Sequence, residues 1–433
     1  MADKLSNQPY RGTNDLSQQD LQQQQYIFNV WRRSCLSFGF QEYLTPLLEP
    51  AIIYETKSGE DVGKKELYTL TDLKGRRLAI RPEMTPSVTR FVSRFYSSAP
   101  KPIRLFSIAN FMRNERPQKG RSREFWQLNA DIFGSTSTLA DTETIALALT
   151  IMDNFNAPPG SFSLYLNDRR LVDQLLTNII GLKKDQITPV SRLLDKFNKV
   201  PSSQFKQYLD EVGLDQNQQK DTISFLQSDA NNLITNFPQL KTNPGYQAIQ
   251  QLISNLDHVP LAENVIFQPS VIRGFDYYDG LVFEVFDNHP DNKRSLFGGG
   301  RYNGLADIFG SQNIPAVGFA PGDVTTKLFL QQHQLFPSTT TPPAVFLPII
   351  EKDLLSSTLQ LASELRNSGL PVITTTEVTP LTKALQQANK QGSEIIIILG
   401  QREFDQQQVT LKNLKTGQQQ TFPVDQLLQK LSS

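Results

Sequence analysis

Asn110-Phe-Met-Arg-Asn-Glu-Arg-Pro-Gln-Lys-Gly-Arg-Ser-Arg-Glu-Phe-Trp-Gln-Leu-Asn-Ala-Asp-Ile-Phe133 is the stretch that decides how this chain folds. It reads as strand, polar loop, strand. In the second strand Trp126, Leu128, Ala130 and Ile132 fall on one face by the two-residue period of extended backbone. Phe125, Gln127, Asn129 and Asp131 fall on the other. The first face predicts a core, and the ordinary fate of the second is a solvated sheet surface. On the first strand Phe111, Arg113 and Glu115 also share a face. The loop argues for a ligand. Five cations (Arg113, Arg116, Lys119, Arg121 and Arg123) stand in it with only Glu115 opposing them. Guanidinium forks match phosphate oxygens in bidentate geometry, so the loop suits nucleotide or nucleic-acid phosphate.

Outward from this hairpin, strands are expected at Glu66–Thr71 and Arg77–Ile80 around Lys74-Gly75, at Ile103–Glu115, and at Asp276–Phe286. Asp20–Phe38 carries Ile27, Val30, Trp31 and Cys35 at helical spacing, with Gly39 as its C-terminal stop. The polar stretch from about 160 to 262 is rich in Gln, Asn, Asp and Lys, and mostly helical in pattern. It predicts a helical module inserted between strand-rich blocks. Residues 1–335 are therefore expected to form an α+β domain, an antiparallel sheet with flanking helices. Pro337-Ser-Thr-Thr-Thr-Pro-Pro343 is of linker type and sets a boundary at 336–343. Beyond it, 344–433 reads as a small α/β domain. A buried strand is expected at Ala344–Ile350, helices at Asp353–Arg366 and Leu381–Lys390, and a strand at Glu394–Gly400. A hairpin over Val409–Leu414 and Gln420–Val424 and a helix at Asp425–Leu431 close it.

Composition removes several classes of function. No apolar run approaches the roughly 20 residues that cross a bilayer. The opening MADKLSNQPYRG lacks the apolar stretch of a secretory signal, so a cytoplasmic protein without membrane association is expected. One cysteine, Cys35, excludes a disulfide framework, and His258, His289 and His333 are too scattered in sequence to suggest a metal site. No metal held by protein side chains is expected. Lys+Arg and Asp+Glu each number 43, which excludes a uniformly basic nucleic-acid coat but not a local basic patch.

Three other segments carry candidate chemistry. Arg273-Gly-Phe-Asp-Tyr-Tyr278 sets an arginine beside a glycine, where backbone can approach a ligand closely. Tyr277 and Tyr278 offer hydroxyls to a half-polar pocket, or the segment is an aromatic core strand with an incidental arginine. Gly298-Gly-Gly-Arg-Tyr-Asn-Gly304 permits close ligand approach or is only a turn. In Arg81-Pro-Glu-Met-Thr-Pro86, Glu83 and Thr85 either bind a substrate ammonium or cap a helix beginning near Pro86, and capping is favoured on the residues alone.

Taken in order, these segments resemble the histidyl-tRNA synthetases, a class II aminoacyl-tRNA synthetase family, over nearly the whole chain. Arg11-Gly-Thr-Asn-Asp15 looks like the family's opening, and Gly39-Phe-Gln-Glu-Tyr-Leu-Thr-Pro-Leu-Leu-Glu-Pro50 resembles motif 1, with Pro46 at its proline. Phe111–Asp131 resembles motif 2, Arg273–Tyr278 the family's signature peptide, and 344–433 its anticodon-binding domain. The resemblance implies activation of histidine by ATP with Mg²⁺, transfer to tRNA(His), and a homodimer. It implies that Arg113 and Glu115 bind ATP, and that Arg273 and Arg113 act on the reacting α-phosphate. Glu83, Met84, Thr85, Gln127, Asp131, Tyr277 and Tyr278 would hold histidine and its adenylate, and Gln118, Arg121 and Arg123 the tRNA acceptor end. One segment departs from the pattern. The family's motif 3 ends in an acidic residue and an arginine that meets the γ-phosphate, whereas Gly318-Phe-Ala-Pro-Gly-Asp-Val-Thr-Thr326 puts Val324 and Thr325 there. Pro321 would interrupt the helix start, and Lys327 is the nearest substitute cation. Two alternatives share the fold: the regulatory subunit of ATP phosphoribosyltransferase, and a pseudo-synthetase that binds RNA without activating histidine.

Overall fold

The structure, a computed structural model, describes residues 6–56, 63, 65–272, 277–292, 294–310, 313–337 and 345–432. The chain divides into two compact units, Met1–Phe336 and Pro337–Ser433. In the first unit the strands are β1 (Gln41–Glu42), β2 (Leu48–Pro50), β3 (Tyr68–Thr71), β4 (Arg77–Ile80), β5 (Ile103–Met112) and β6 (Glu124–Phe133). They continue with β7 (Phe162–Asp168), β8 (Val265–Phe267), β9 (Leu281–Asp287), β10 (Ser295–Arg301) and β11 (Ala316–Phe319). Among the described residues eight of these form one sheet, in the order β1-β5-β6-β11-β10-β9-β7-β8. Its interior pairs, from β5·β6 to β9·β7, are antiparallel; β1 and β8 join the two edges in parallel. A small sheet, β2-β4-β3, lies apart.

The helix Gln18–Ser37 forms where its periodicity placed it. Ser17 and Asp20 make a reciprocal capping box, with Ser17 Oγ donating to Asp20 Oδ2 at 2.6 Å. Gly39, at φ +75°, supplies the left-handed residue that ends it. Its apolar stripe (Ile27, Val30, Trp31, Cys35) is buried in one cluster with Leu128 and Ile132 of β6. Full burial of each such aliphatic side chain contributes roughly 1.5–3 kcal/mol. Burial also pushes the Cys35 thiol far up, so this cysteine is inert packing.

The opposite face of β6 is half-buried at Phe125 and Gln127 and closed to solvent at Asn129 and Asp131. Asn129 and Asp131 are buried with a second cluster that holds Met84, Phe111, Tyr277 and Tyr302. The sheet is covered on both sides, and the polar residues of β6 face an interior. The expected helical stretch of 160–262 opens on a strand: β7 is a member of the large sheet, and helices follow at Lys184–Leu194, Ser202–Glu211, Gln216–Leu226 and Pro244–Asn255.

The second unit holds β12 (Val345–Phe346), β13 (Val372–Ile373), β14 (Ile395–Ile398), β15 (Gln408–Asn413) and β16 (Gln419–Pro423), in the order β13-β12-β14-β15-β16. β13, β12 and β14 run parallel; β14, β15 and β16 are antiparallel. Helices Leu355–Asn367 and Leu381–Lys390 accompany the sheet. The expected strand over Ala344–Ile350 is shorter than its apolar run, and most of the Pro337–Pro343 linker lies outside the described residues. Among the described residues no helix is long and apolar enough to cross a membrane.

Candidate active site

A cavity of about 1080 Å³ opens in the first unit over the polar face of β6. Its walls come from the β5–β6 loop, β6, β9, β10 and the start of the Asp323–Gln332 helix, with Thr188, Ser191 and Arg192 on the far side. Glu83, Arg113, Glu115, Gln118, Arg121, Gln127, Tyr277 and Tyr278 all line it. Residues distributed over almost 200 positions of sequence are thus brought to one chamber.

Two buried carboxylates are each held by a tyrosine hydroxyl: Glu83, which lines the cavity, and Asp131, which does not. The Tyr277 hydroxyl donates to Glu83 Oε2 at 3.0 Å, and both residues are buried. Glu83 and Thr85 do not cap the helix that follows: it runs Thr85–Ser93, its N-cap is Met84, and no side chain caps it. Pro86 sits in its first turn, where a missing N–H costs nothing. Met84 is fully buried beneath, accepting from Thr45 Oγ1 at its sulfur. Deeper still, the Tyr302 hydroxyl donates to Asp131 Oδ1 at 2.5 Å. Asp131 Oδ2 is buried with no hydrogen-bond partner among the described residues. Burial pushes the Asp131 carboxyl up to about 7, with the Tyr302 bond pulling it the other way. Tyr302 is the site residue that reading the sequence missed, since only the glycines of its segment drew attention. Asn129, which also lines the cavity and has a buried, unpartnered Oδ1, is the second.

Glycines make this packing possible. A Cβ on Gly318 would stand 2.0 Å from Asp131 Oδ1, and one on Gly299 would stand 2.2 Å from the Gly318 carbonyl. The Gly298–Gly300 run is accordingly strand β10 and not a turn. Arg301, at its end, is buried and reaches Asp141 at 2.7 Å and the Ser135 carbonyl at 2.7 Å, which fixes the backbone that carries Tyr302.

Cations line the same cavity. Arg113 Nε donates to the Pro82 carbonyl at 2.9 Å, and its guanidinium lies 5.0 Å from the Phe125 ring centre. Among the described residues it is held by a carbonyl and a ring rather than by a carboxylate, so its charge is available to an anion. Arg121 pairs with Glu115 at 3.0 Å, and Arg294 donates to Gln118 Oε1 at 2.9 Å. Gln127 donates to the Ala320 carbonyl at 3.2 Å. Arg123 does not reach the cavity: its guanidinium is committed to the Tyr10 hydroxyl and the Arg11 and Glu115 carbonyls. Arg273 lies outside the described residues.

At the departed segment, Pro321 interrupts nothing, because the helix starts at Asp323 after Gly322. Val324 and Thr325 line the cavity, and Thr325 Oγ1 donates to the Leu296 carbonyl at 2.7 Å. Lys327 is turned to the Gln18–Ser37 helix, where its Nζ meets Asp20 at 2.6 Å. Among the cations that line the cavity is Arg294, which, like Thr325, packs against Gly120: a Cβ there would stand 3.7 Å from Arg294 Cδ and 4.0 Å from Thr325 Cγ2.

This sheet, with a chamber of carboxylates and unneutralised guanidinium beneath a basic loop, has the fold of a class II aminoacyl-tRNA synthetase. It superposes on the solved histidyl-tRNA synthetase from Nostoc sp. PCC 7120 with a TM-score of 0.81, at 24% identity, over 99% of each chain. Residues 12–322 match the family described as Histidyl-tRNA synthetase, and 344–433 match the Anticodon binding domain. A histidine–tRNA ligase from Leptospira biflexa is 36% identical over 428 residues, 99% of this chain and 98% of the relative. One from Pyrococcus furiosus is 31% identical over 426 residues, 97% of each. The chain belongs to the histidyl-tRNA synthetase family, and it is an aminoacyl-tRNA ligase.

Proposed function

We propose that the chain activates histidine with ATP to histidyl-adenylate in this cavity and passes the histidyl group to the terminal ribose of tRNA(His). The observation that carries this reading is the meeting, in one chamber, of the buried Glu83–Tyr277 pair with an Arg113 free of any carboxylate among the described residues; the Asp131–Tyr302 pair adjoins it through the Tyr302–Tyr277 ring contact. In the first step a carboxylate oxygen of histidine attacks the α-phosphorus and pyrophosphate leaves. Charge develops on the non-bridging oxygens, and a guanidinium already fixed by Pro82 and Phe125 meets it without reorganising. Arg273 is assigned to the same charge. Glu83, with Thr85 and Gln127, is suited to the substrate ammonium, and Met84 forms the apolar support below. Asp131, Tyr277 and Tyr278 enclose the imidazole.

ATP enters as substrate. Glu115 and Glu284 line the cavity and offer the oxygen donors magnesium takes, so Mg²⁺ carried on the phosphates would find partners there. We assign the γ-phosphate to Arg294, since Lys327 is spent on Asp20 and Thr325 carries no charge. Gln118 and Arg121 remain the acceptor-end candidates, without Arg123. Exposed Leu44, Leu47 and Leu48 around Pro46 support a homodimer through this segment. The cytoplasm is the location this reading assigns. A regulatory-subunit reading is disfavoured by the 344–433 unit, and the pseudo-synthetase reading by Glu83, Arg113, Gln127 and Tyr277 meeting in the chamber.

Arg113→Ala and Arg273→Ala are each expected to lower histidine-dependent ATP–pyrophosphate exchange by about 10²-fold or more without unfolding the protein. Exchange at the parental rate in both variants would remove these residues from the mechanism.

A further inference from the structure

The cavity loop is held from outside by the N-terminal turn. Thr13 N donates to the Tyr10 carbonyl at 2.9 Å, which closes the turn. The Gly12 carbonyl then accepts from Arg123 N and from Ser122 Oγ, each at 2.7 Å. Arg123 Nη1 donates to the Tyr10 hydroxyl at 2.6 Å and the guanidinium lies 5.0 Å from the Tyr10 ring centre. Gly12 sits at φ +92°, and a Cβ there would stand 2.7 Å from Pro117 Cγ and 2.9 Å from Arg123 Cδ. The glycine is needed both for its backbone angle and for the closeness of the loop.

Among the described residues the loop has few other anchors. Arg113 N to the Arg123 carbonyl (2.8 Å) and Asn114 N to the Glu66 carbonyl (2.7 Å) close its base. At its tip Gln118 and Arg121 pair, and Arg294 reaches Gln118. A loop of this exposure owes its pose to such contacts. The turn contributes most of those on the Ser122–Arg123 side.

We infer that Tyr10–Thr13 is a strap that sets the pose of the loop 114–123, making Gly12 and Tyr10 positioning residues for the nucleotide. They act through Pro117 and Arg123, and touch no substrate. The nucleotide half of this inference rests on the proposed activation of histidine by ATP; the mechanical half does not.

The test uses the full-length chain as Gly12→Ala, Tyr10→Ala and Tyr10→Phe. Trypsin cleavage after Lys119 and Arg121 is expected to quicken about tenfold in the two alanine variants, the factor carried by one or two hydrogen bonds of ordinary net strength. Tyr10→Phe keeps the ring under Arg123 and should stay nearer the parent. In pyrophosphate exchange the alanine variants should raise the KM for ATP by about fivefold and leave that for histidine within about twofold. If Gly12→Ala is found unfolded, Tyr10→Ala decides, since it removes only a half-exposed ring. Parental cleavage rates in Tyr10→Ala and a folded Gly12→Ala would overturn the strap. Equal rises in both KM values would overturn its bearing on the nucleotide. A parent that exchanges no pyrophosphate would sink the proposed function instead, and the trypsin rates would still judge the strap.

Discussion

Asp131 shows what a single residue's surroundings decide. Its face of β6 was legible from the two-residue alternation, and its burial was not. What covers it is Tyr302, 171 positions along the chain, whose hydroxyl bonds it. Arg121 and Arg123 make the same point: both are arginines of one basic loop, but Arg121 lines the cavity while Arg123 is absorbed by Tyr10. No local pattern distinguishes them. The Asp131 carboxyl, raised from 3.8 to about 7, also has a consequence for stability. Folding favours its protonated form. The stability it contributes is therefore whole below the ordinary carboxylate value and is lost as pH rises through about 7. Asp131→Asn keeps an oxygen for Tyr302 and removes the charge. Its stability relative to the parent should thus climb between about pH 4 and about pH 7, by on the order of 1 kcal/mol or more, seen as a widening difference in melting temperature. A difference that does not move with pH would mean that the charged form is not penalised in the fold.

Among the elements, those with punctuation in the chain were readable. The helix from Gln18 announces itself by Ser17 and Asp20 at one end and Gly39 at the other. β7 was hidden by its surroundings: Phe162, Leu164 and Leu166 alternate with Ser163, Tyr165 and Asn167, but this short run opens a long polar stretch of helical pattern. The Asp323–Gln332 helix was readable as a departure from its family, but its consequence was not. Lys327, the expected substitute cation, faces Asp20, and holds that carboxyl down at about 2. The pair is half-exposed, so Lys327→Ala should cost at most about 1 kcal/mol in stability and leave the KM for ATP unchanged. Arg294→Ala should instead raise the KM for ATP several-fold, with the KM for histidine held. A rise in Lys327→Ala and none in Arg294→Ala would reverse the assignment.

At the scale of the molecule, the proline-rich stretch after Phe336 was the plainest sign in the sequence, because a change of pattern follows it immediately. The chamber lies wholly within Met1–Phe336. Deleting 337–433 should therefore spare histidine activation far more than tRNA charging, measured as exchange and as aminoacylation of the same tRNA. Equal charging by the truncated and whole proteins would deny the second unit its role. What the sequence could not show was the chamber itself, for its walls come from strands brought together by the β6–β11–β10–β9 pairing and from segments as distant as Glu83, Arg192 and Tyr277. The central claim is that this chamber, with Thr325 where the family has its arginine, still forms histidyl-adenylate. ATP–pyrophosphate exchange by the purified whole chain tests it most directly: exchange that requires histidine is the predicted result, and none with histidine, ATP and Mg²⁺ all present would contradict it.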